Sequence, residues 1–420
     1  MASTESSKKV AHIAVIGLGW WSQGWHLPHL QRNPKAKIAA MVDTSDHPKS
    51  NLNPNLEPLS VLKDKYQCPT FSSIEQLFET NPDLAATLDG VIVCTSHATH
   101  SDIGTYLLLQ QQDTKRSKPL HLLTEKPMTT NVDQAKHLHE TVQKATTTTT
   151  KGGGGGGGGG SKNHTSSFLI NHSANYIPQT RKARELVQSG AIGTIQHITA
   201  FFASPLSWIF EDPSNTGWNE PTPDLMMLGN GFAWGQQSHL LAWIYHVTDL
   251  TPTRVYCTMQ HSTKTGADVA HAASIKCEEG GGGGGGVTLS LSGTSLLPGN
   301  AHSDPPVAKI INIQIYGTNG ALMYSGNDQD PASGRLEIRV GGDENARDKE
   351  GSVEVHCPEF RFEELEQDGI GPLSLQSFIA ACLGEEDYYV GADSLVGLKS
   401  IQTLDAMYRS EASGNAEAVA

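Results

Sequence analysis

The chain has 420 residues, with 44 acidic and 30 basic side chains and a formal charge of −14. That balance, with a pI near 5.7, excludes a general binder of nucleic acid or anionic membrane, whose affinity rests on Lys and Arg. The length is too great for one ordinary core and predicts two domains.

The six cysteines, Cys68, Cys94, Cys257, Cys277, Cys357 and Cys382, are scattered without CxxC spacing. Neither a zinc knuckle nor a redox motif is expected, and no metal is assigned. Isolated thiols fit a reducing compartment. Residues 1–9 are polar and run straight into the first strand, which leaves no room for a secretory signal. No apolar run approaches the ~20 residues of a membrane span. A cytoplasmic protein is expected.

His12-Ile13-Ala14-Val15-Ile16 is largely apolar, as a buried parallel strand requires. It breaks into Gly17-Leu18-Gly19-Trp20-Trp21-Ser22, a dinucleotide-binding fingerprint. Gly17 permits the tight turn, and Gly19 lets the backbone approach a pyrophosphate. Ser22 is small enough for the helix to pack close to the strand, and the helix N-terminus faces the anion. Trp20 and Trp21 wall the nicotinamide side of a cleft or simply pack the helix. The next strand, 37–42, ends in Asp43, near the ~20-residue distance at which a carboxylate meets the adenosine ribose. An acid there accepts from the 2′-OH and repels a 2′-phosphate, which favours NAD and leaves NADP possible. The alternative is a strand-end cap.

Residues 46–58 read as a surface loop, followed by helices over 59–66 and 73–79. A third strand over 90–95 ends at Thr95. His97 and His100 behind it either contact the cofactor or cap the next helix, which runs through Leu109. The strand His121–Thr124 is then stopped by Glu125-Lys126-Pro127. In a parallel sheet Lys126 stands at the carboxyl end, where open α/β sheets bind ligands. Taken alone, the Glu-Lys pair reads equally as a solvated turn. The fingerprint upstream favours a site that includes Glu125 and Lys126.

A helix over 131–144 leads into a low-complexity tract over 146–160, and 280–286 is a second one. Polyglycine buries too little area to offset its ordering entropy, so both are expected to be surface insertions. Strand 167–171 closes the first half. A helix over 178–188 has Pro178 at its start and Gly190 past its end. The hydrophobic period then falls towards two, and strands are predicted over 195–204, 254–259, 273–277, 287–292, 310–316, 321–325 and 336–340. Helices over 374–383 and 392–409 end the chain. The fold class is therefore α/β. An N-terminal Rossmann doubly wound parallel sheet takes residues 1–175, and a C-terminal α+β domain with a large, mostly antiparallel open sheet takes 176–420.

These segments, with PQTRKARELVQSGAIGTIQHI, GNGFAWGQQSHLLAW, YGTNGALMYSG and GADSLVGLKSIQTLDAMYRS, resemble the glucose–fructose oxidoreductase / inositol dehydrogenase / MocA (Gfo/Idh/MocA) family. The resemblance covers nearly all the chain outside the glycine tracts. It implies reversible hydride transfer between NAD(P) and a hydroxyl carbon of a sugar, polyol or cyclitol, in a homodimer or homotetramer. It also implies that Lys126 hydrogen-bonds the reacting oxygen and that His239 is the general acid/base. Read without the family, His239 is as readily a satisfied core histidine.

The family often places Asp one turn before that histidine, where Gly235 stands here. Gln236 is the nearest polar substitute and carries no charge. An aspartate at 235 is expected to shift the pH profile if that position faces the imidazole. Tyr176, Gln236 and Trp243 are candidate substrate contacts, although core burial is the commoner role of such aromatic residues. Two other readings remain open: a glycosidase that uses NAD transiently, and a cofactor-sensing regulator without turnover. Replacing either low-complexity tract by a short Gly-Ser linker should lower the melting temperature by less than ~5 °C and leave cofactor binding intact. Thermal scans and titrations check this.

Overall fold

The computed structural model describes residues 9–110, 116, 118–148, 166–219, 230–279, 286–301, 303, 306–341, 351–363 and 369–420. Of the tracts expected to be insertions, 146–160 and 280–286, residues 149–160 and 280–285 lie outside the described residues, and 146–148 end the helix Val132–Thr148. The chain divides into two compact units. The first comprises Met1–Met128, Gln134–Asn171 and Leu365–Ser394, and the second Thr129–Asp133, His172–Glu364 and Leu395–Ala420.

The first unit contains β1 (Ala11–Ile16), β2 (Ala36–Val42), β3 (Thr70–Phe71), β4 (Gly90–Val93), β5 (His121–Thr124) and β6 (Phe168–Ile170). They pair in the order β3-β2-β1-β4-β5-β6, all parallel. This is the doubly wound order whose switch point lies between β1 and β4. β4 and β5 are buried at every position, which explains why their sequences are apolar runs rather than alternations.

Chain order placed residues 365–394 with the second domain, but they belong to the first unit. The reason is packing. Helix Leu373–Leu383 lies on this sheet, and Gly90 lets it approach: a Cβ there would meet Cys382 Sγ and a Phe378 ring carbon at 2.5 Å.

The second unit contains β7 (Ile195–Ala203), β8 (Thr251–His261), β9 (Asp268–Glu278), β10 (Val287–Thr294), β11 (Ile310–Gly317), β12 (Gly320–Asn327), β13 (Asp330–Val340), β14 (Ser352–Cys357) and β15 (Glu417–Ala418). Their order is β14-β13-β12-β11-β7-β10-β9-β8-β15. Every pairing is antiparallel except β7 with β10. Val287 pairs with Cys277, so the strands on either side of the second glycine tract are neighbours in the sheet. The edge strands β14 and β15 escaped sequence reading. β14, Ser-Val-Glu-Val-His-Cys, does alternate polar and apolar residues, although four of its residues are exposed and two half-buried, and β15 is only two residues long.

Helix Ser238–Thr248 is buried at all eleven positions, which suits a helix that is apolar nearly all round. It packs beside helix Pro178–Gln188. Trp243 stacks on Tyr324 of β12 with ring centroids 5.5 Å apart. The inward residues Ile311, Ile313 and Ile315 of β11 are fully buried, while Ile310, Phe201 and Tyr256 on the other face are 42%, 36% and 47% exposed.

Gly90→Val should destabilise the protein by about 1–3 kcal/mol, the usual cost of overpacking a filled core. Urea unfolding measures it. An unchanged midpoint would mean that helix Leu373–Leu383 does not sit on β4.

Candidate active site

The carboxyl edge of the first sheet gathers the cofactor-binding candidates. Gly17 has φ +84°, and its amide donates to the Val42 carbonyl at 2.8 Å. A Cβ at Gly17 would come within 2.4 Å of the Cys94 carbonyl oxygen. Only glycine satisfies both the left-handed backbone and that approach. A Cβ on Gly19 would meet nothing within 4 Å, so the loop's backbone is open on that side. Ser22 is buried, and its Oγ donates to the Gly17 carbonyl at 2.5 Å. The helix behind the loop begins with a π-turn over Ser22–His26. The open backbone at Gly19, the loop glycine and the following helix fit a dinucleotide pyrophosphate.

Asp43 is seen as a cap. Oδ2 accepts from the Leu18 amide at 2.6 Å and Oδ1 from the Ser45 amide at 2.9 Å, so it caps the strand end and holds the glycine loop. Each oxygen keeps a second lone pair for a ribose hydroxyl.

Glu125 is the hub of the edge. Its Oε1 accepts from Trp21 Nε1 at 3.0 Å and Asn171 Nδ2 at 2.7 Å, and lies 2.7 Å from His26 Nε2. Burial alone would raise its pKa. The hydrogen bond and charge of His26, then Asn171 and Lys126, outweigh burial and hold it at about 2. Trp21 also stacks on Trp25 at 5.2 Å and meets Trp20 edge-on at 5.2 Å. Trp21 is thus tied to Glu125 and the helix, and Trp20 stays half-buried beside the loop. Burial, then the Glu125 charge, push the Cys94 thiol up. The ligating atoms of His26, Cys94 and Glu125 lie within 4.8 Å of one another. They would hold a metal only by displacing the donors on Oε1.

His100 is buried, with Nδ1 2.8 Å from the Pro127 carbonyl and Nε2 3.2 Å from the Thr95 carbonyl. Burial pushes its pKa down against both carbonyls. It sits between the end of β4 and the turn after Lys126 and, as a neutral imidazole with one N–H, donates to one of the two carbonyls, which is a positioning role. Thr99 Oγ1 donates to Thr95 Oγ1 at 2.8 Å. His97 is half-buried, its ring 5.9 Å from that of His100. Lys126, half-buried, precedes a cis proline at the end of β5.

In the second unit His239 is the second residue of helix Ser238–Thr248 and is 5% exposed. The His172 ring stands perpendicular to it at 5.3 Å. Glu363 Oε1 is 3.9 Å from His239 Nε2, and Lys309 Nζ pairs with Glu363 Oε2.

A π-turn over Ala233–Gln237 precedes the helix and changes the register that regular spacing implies. A Cβ at Gly235 would meet the rings of Trp218 and Phe210 at 3.0 and 3.3 Å. An aspartate placed there would start against those rings. Gln236 is 7% exposed, and its Nε2 donates to the Gly235 carbonyl at 3.1 Å. Tyr176 and Trp243 are fully buried, and Trp243 Nε1 donates to Thr180 Oγ1 at 2.8 Å. A ring without exposed surface cannot stack a sugar, so these two are core residues rather than substrate contacts. Sequence reading missed His26, Asn171, His172, Lys309 and Glu363. Each is a single polar residue with no periodic or motif signal.

A GxGxx-small loop on a parallel 3-2-1-4-5-6 sheet defines a dinucleotide-binding unit of the Rossmann type. Residues 11–152 match the family model described as the oxidoreductase family with an NAD-binding Rossmann fold, and residues 180–323 match the model of the GFO/IDH/MocA C-terminal domain. The chain belongs to the Gfo/Idh/MocA family of oxidoreductases. It is an NAD(P)-dependent dehydrogenase or reductase whose first unit binds NAD.

Comparison with curated proteins gives no match. Among solved structures, the chain is similar to GenD2 from gentamicin A biosynthesis in complex with NAD. Identity is 15% and TM-score 0.64, with 98% of this chain and 97% of that one covered. It is also similar to an oxidoreductase from Agrobacterium radiobacter in complex with NAD+, L-tartaric acid and magnesium, at 14% identity and TM-score 0.62, covering 97% and 98%. A third is the aldose–aldose oxidoreductase of Caulobacter crescentus complexed with glycerol, at 14% identity and TM-score 0.63, covering 98% and 100%. At these identities the likeness shows the shared fold. Among the described residues no helix is long and apolar enough to cross a membrane.

Asp43→Asn keeps an acceptor for the Leu18 amide and removes the charge. The preference for NAD(H) over NADP(H) should fall about tenfold, a change of ~1.4 kcal/mol. Fluorescence titration of both cofactors checks this. Equal affinities in the unmodified protein would show that Asp43 serves only as a cap.

Proposed function

We propose that the protein transfers hydride reversibly between NAD and a hydroxyl carbon of a sugar, polyol or cyclitol. The observation that carries the reading is the family match together with an intact Lys126 at the end of β5 and an intact His239. Resemblance assigns the chemistry to that pair. The glycerol complex of the aldose–aldose oxidoreductase supports a polyhydroxylated substrate.

When bound, NAD supplies the hydride acceptor for alcohol oxidation. The loop backbone at Gly17 and Gly19 would hold its pyrophosphate, with Ser22 fixing the loop from behind, and Asp43 its adenosine ribose. Thr95, His97, Glu125 and Lys126 border the rest of the carboxyl edge. Lys126 donates to the reacting oxygen and stabilises its developing negative charge. His239 in its neutral form takes the hydroxyl proton and returns it in the reverse direction. Exposed Phe201, Tyr256 and Ile310 on the open sheet face support assembly as a homodimer or homotetramer.

Purified protein mixed with NAD+ and a panel of aldoses, polyols and cyclitols should release NADH with at least one member. Sugar release from a glycoside without free NADH would favour the transient-oxidation chemistry instead. On an established substrate, Lys126→Ala and His239→Ala should each lower kcat by ~10²–10⁴, the range for a charge-stabilising or acid/base group. Cofactor affinity should be nearly unchanged. Near-full turnover by His239→Ala would overturn the assignment.

A further inference from the structure

The helix that carries His239 supplies it with no acid. Its first turn contains none, and position 235 is turned toward Trp218 and Phe210. A carboxylate reaches the imidazole from a distant part of the chain. Glu363 Oε1 lies 3.9 Å from His239 Nε2, and the two side chains are 6% and 7% exposed. This is ion-pair range. Hydrogen bonds at catalytic groups are often this long before substrate binds.

The position of Glu363 is fixed from several directions. Phe360 and Phe362, just before it, are fully buried. Phe362 packs on Phe202 at 5.9 Å and Phe360 on Tyr324 at 4.8 Å, and the Tyr324 hydroxyl donates to the Arg361 carbonyl. Tyr324 also stacks on Trp243, one turn along the helix from His239. One aromatic stack therefore holds both the histidine's helix and the glutamate's segment. Lys309 pairs with Oε2, while Oε1 is buried and accepts no hydrogen bond among the described residues. A buried Lys–Glu pair rarely gains stability over apolar packing. Its place beside a histidine points to another task.

We propose that Glu363 is the positioning carboxylate of His239. It selects the ring nitrogen that carries the proton and stabilises the imidazolium, and Lys309 holds the carboxylate in place. The proposal rests on the reading of His239 as acid/base. Other ionisable groups face this cluster. His172 meets the His239 ring edge-on. Asp328 accepts from the Lys309 amide at 2.8 Å, and burial pushes its carboxyl up to about 6, against the charge of Lys309.

The test uses the full chain with Glu363→Gln, and with Glu363→Asp to retain a charge for Lys309. His239 is followed by NMR titration of its ring, assigned by difference from His239→Asn. In Glu363→Gln the ring should titrate about one unit lower. The acid limb of kcat/KM for oxidation should move down with it, and the KM for NAD should not change. Glu363→Asp should shift the titration the same way by less. An unchanged His239 titration in either folded variant overturns the proposal. A shifted titration with an unmoved pH profile upholds the pair and refutes His239 as the acid/base, so the two failures are distinguishable.

Discussion

Glu125 Oε1 is the point at which the first unit is locked. A carboxylate taken out of water at the edge of a sheet is costly unless donors converge on it. Here three side chains supply them from two segments: Trp21 and His26 after β1, and Asn171 after β6. β5 delivers the acceptor, so one oxygen atom ties the ends of three strands. The residue after it is Lys126. Its position follows from the requirement that Glu125 stay bonded, and His100 packs between the Thr95 and Pro127 carbonyls and donates to one of them.

The glycine loop obeys the same economy. Gly17 is forced by the strand that passes beneath it, and Asp43 holds the loop through the Leu18 amide. Asp43 is thus a structural cap of both the strand end and the loop. A substitution that keeps an acceptor differs physically from one that removes it.

In the second unit the constraint is a helix without a solvent face. With every position of Ser238–Thr248 buried, several of its polar groups are paired with residues of the helices and segments packed around it. Trp243 reaches Thr180, and Tyr245 meets Thr403 at 2.7 Å. His239 meets His172 and Glu363 in the same way. The π-turn before the helix turns Gly235 toward aromatic rings and separates its direction from the one that regular helical spacing implies.

Sequence alone determined the parallel sheet of the first unit, because buried strands are apolar runs ended by glycine or polar turns, and β1, β2, β4 and β5 all have that form. It located Gly17, Gly19, Ser22, Asp43 and Lys126 because their chemistry is local to a strand end. It placed the inner strands of the second sheet through their period of two. Tertiary structure alone decided that helix Leu373–Leu383 packs on the first sheet, since only the space at Gly90 records it. It also decided that Trp243 and Tyr176 are core, because an aromatic residue reads alike in a core and in a binding site. The meeting of Glu363 with His239 was equally invisible in the sequence. A pair so far apart along the chain leaves no periodicity, and the contact exists only once β11, β12 and the aromatic stack have brought the two segments together.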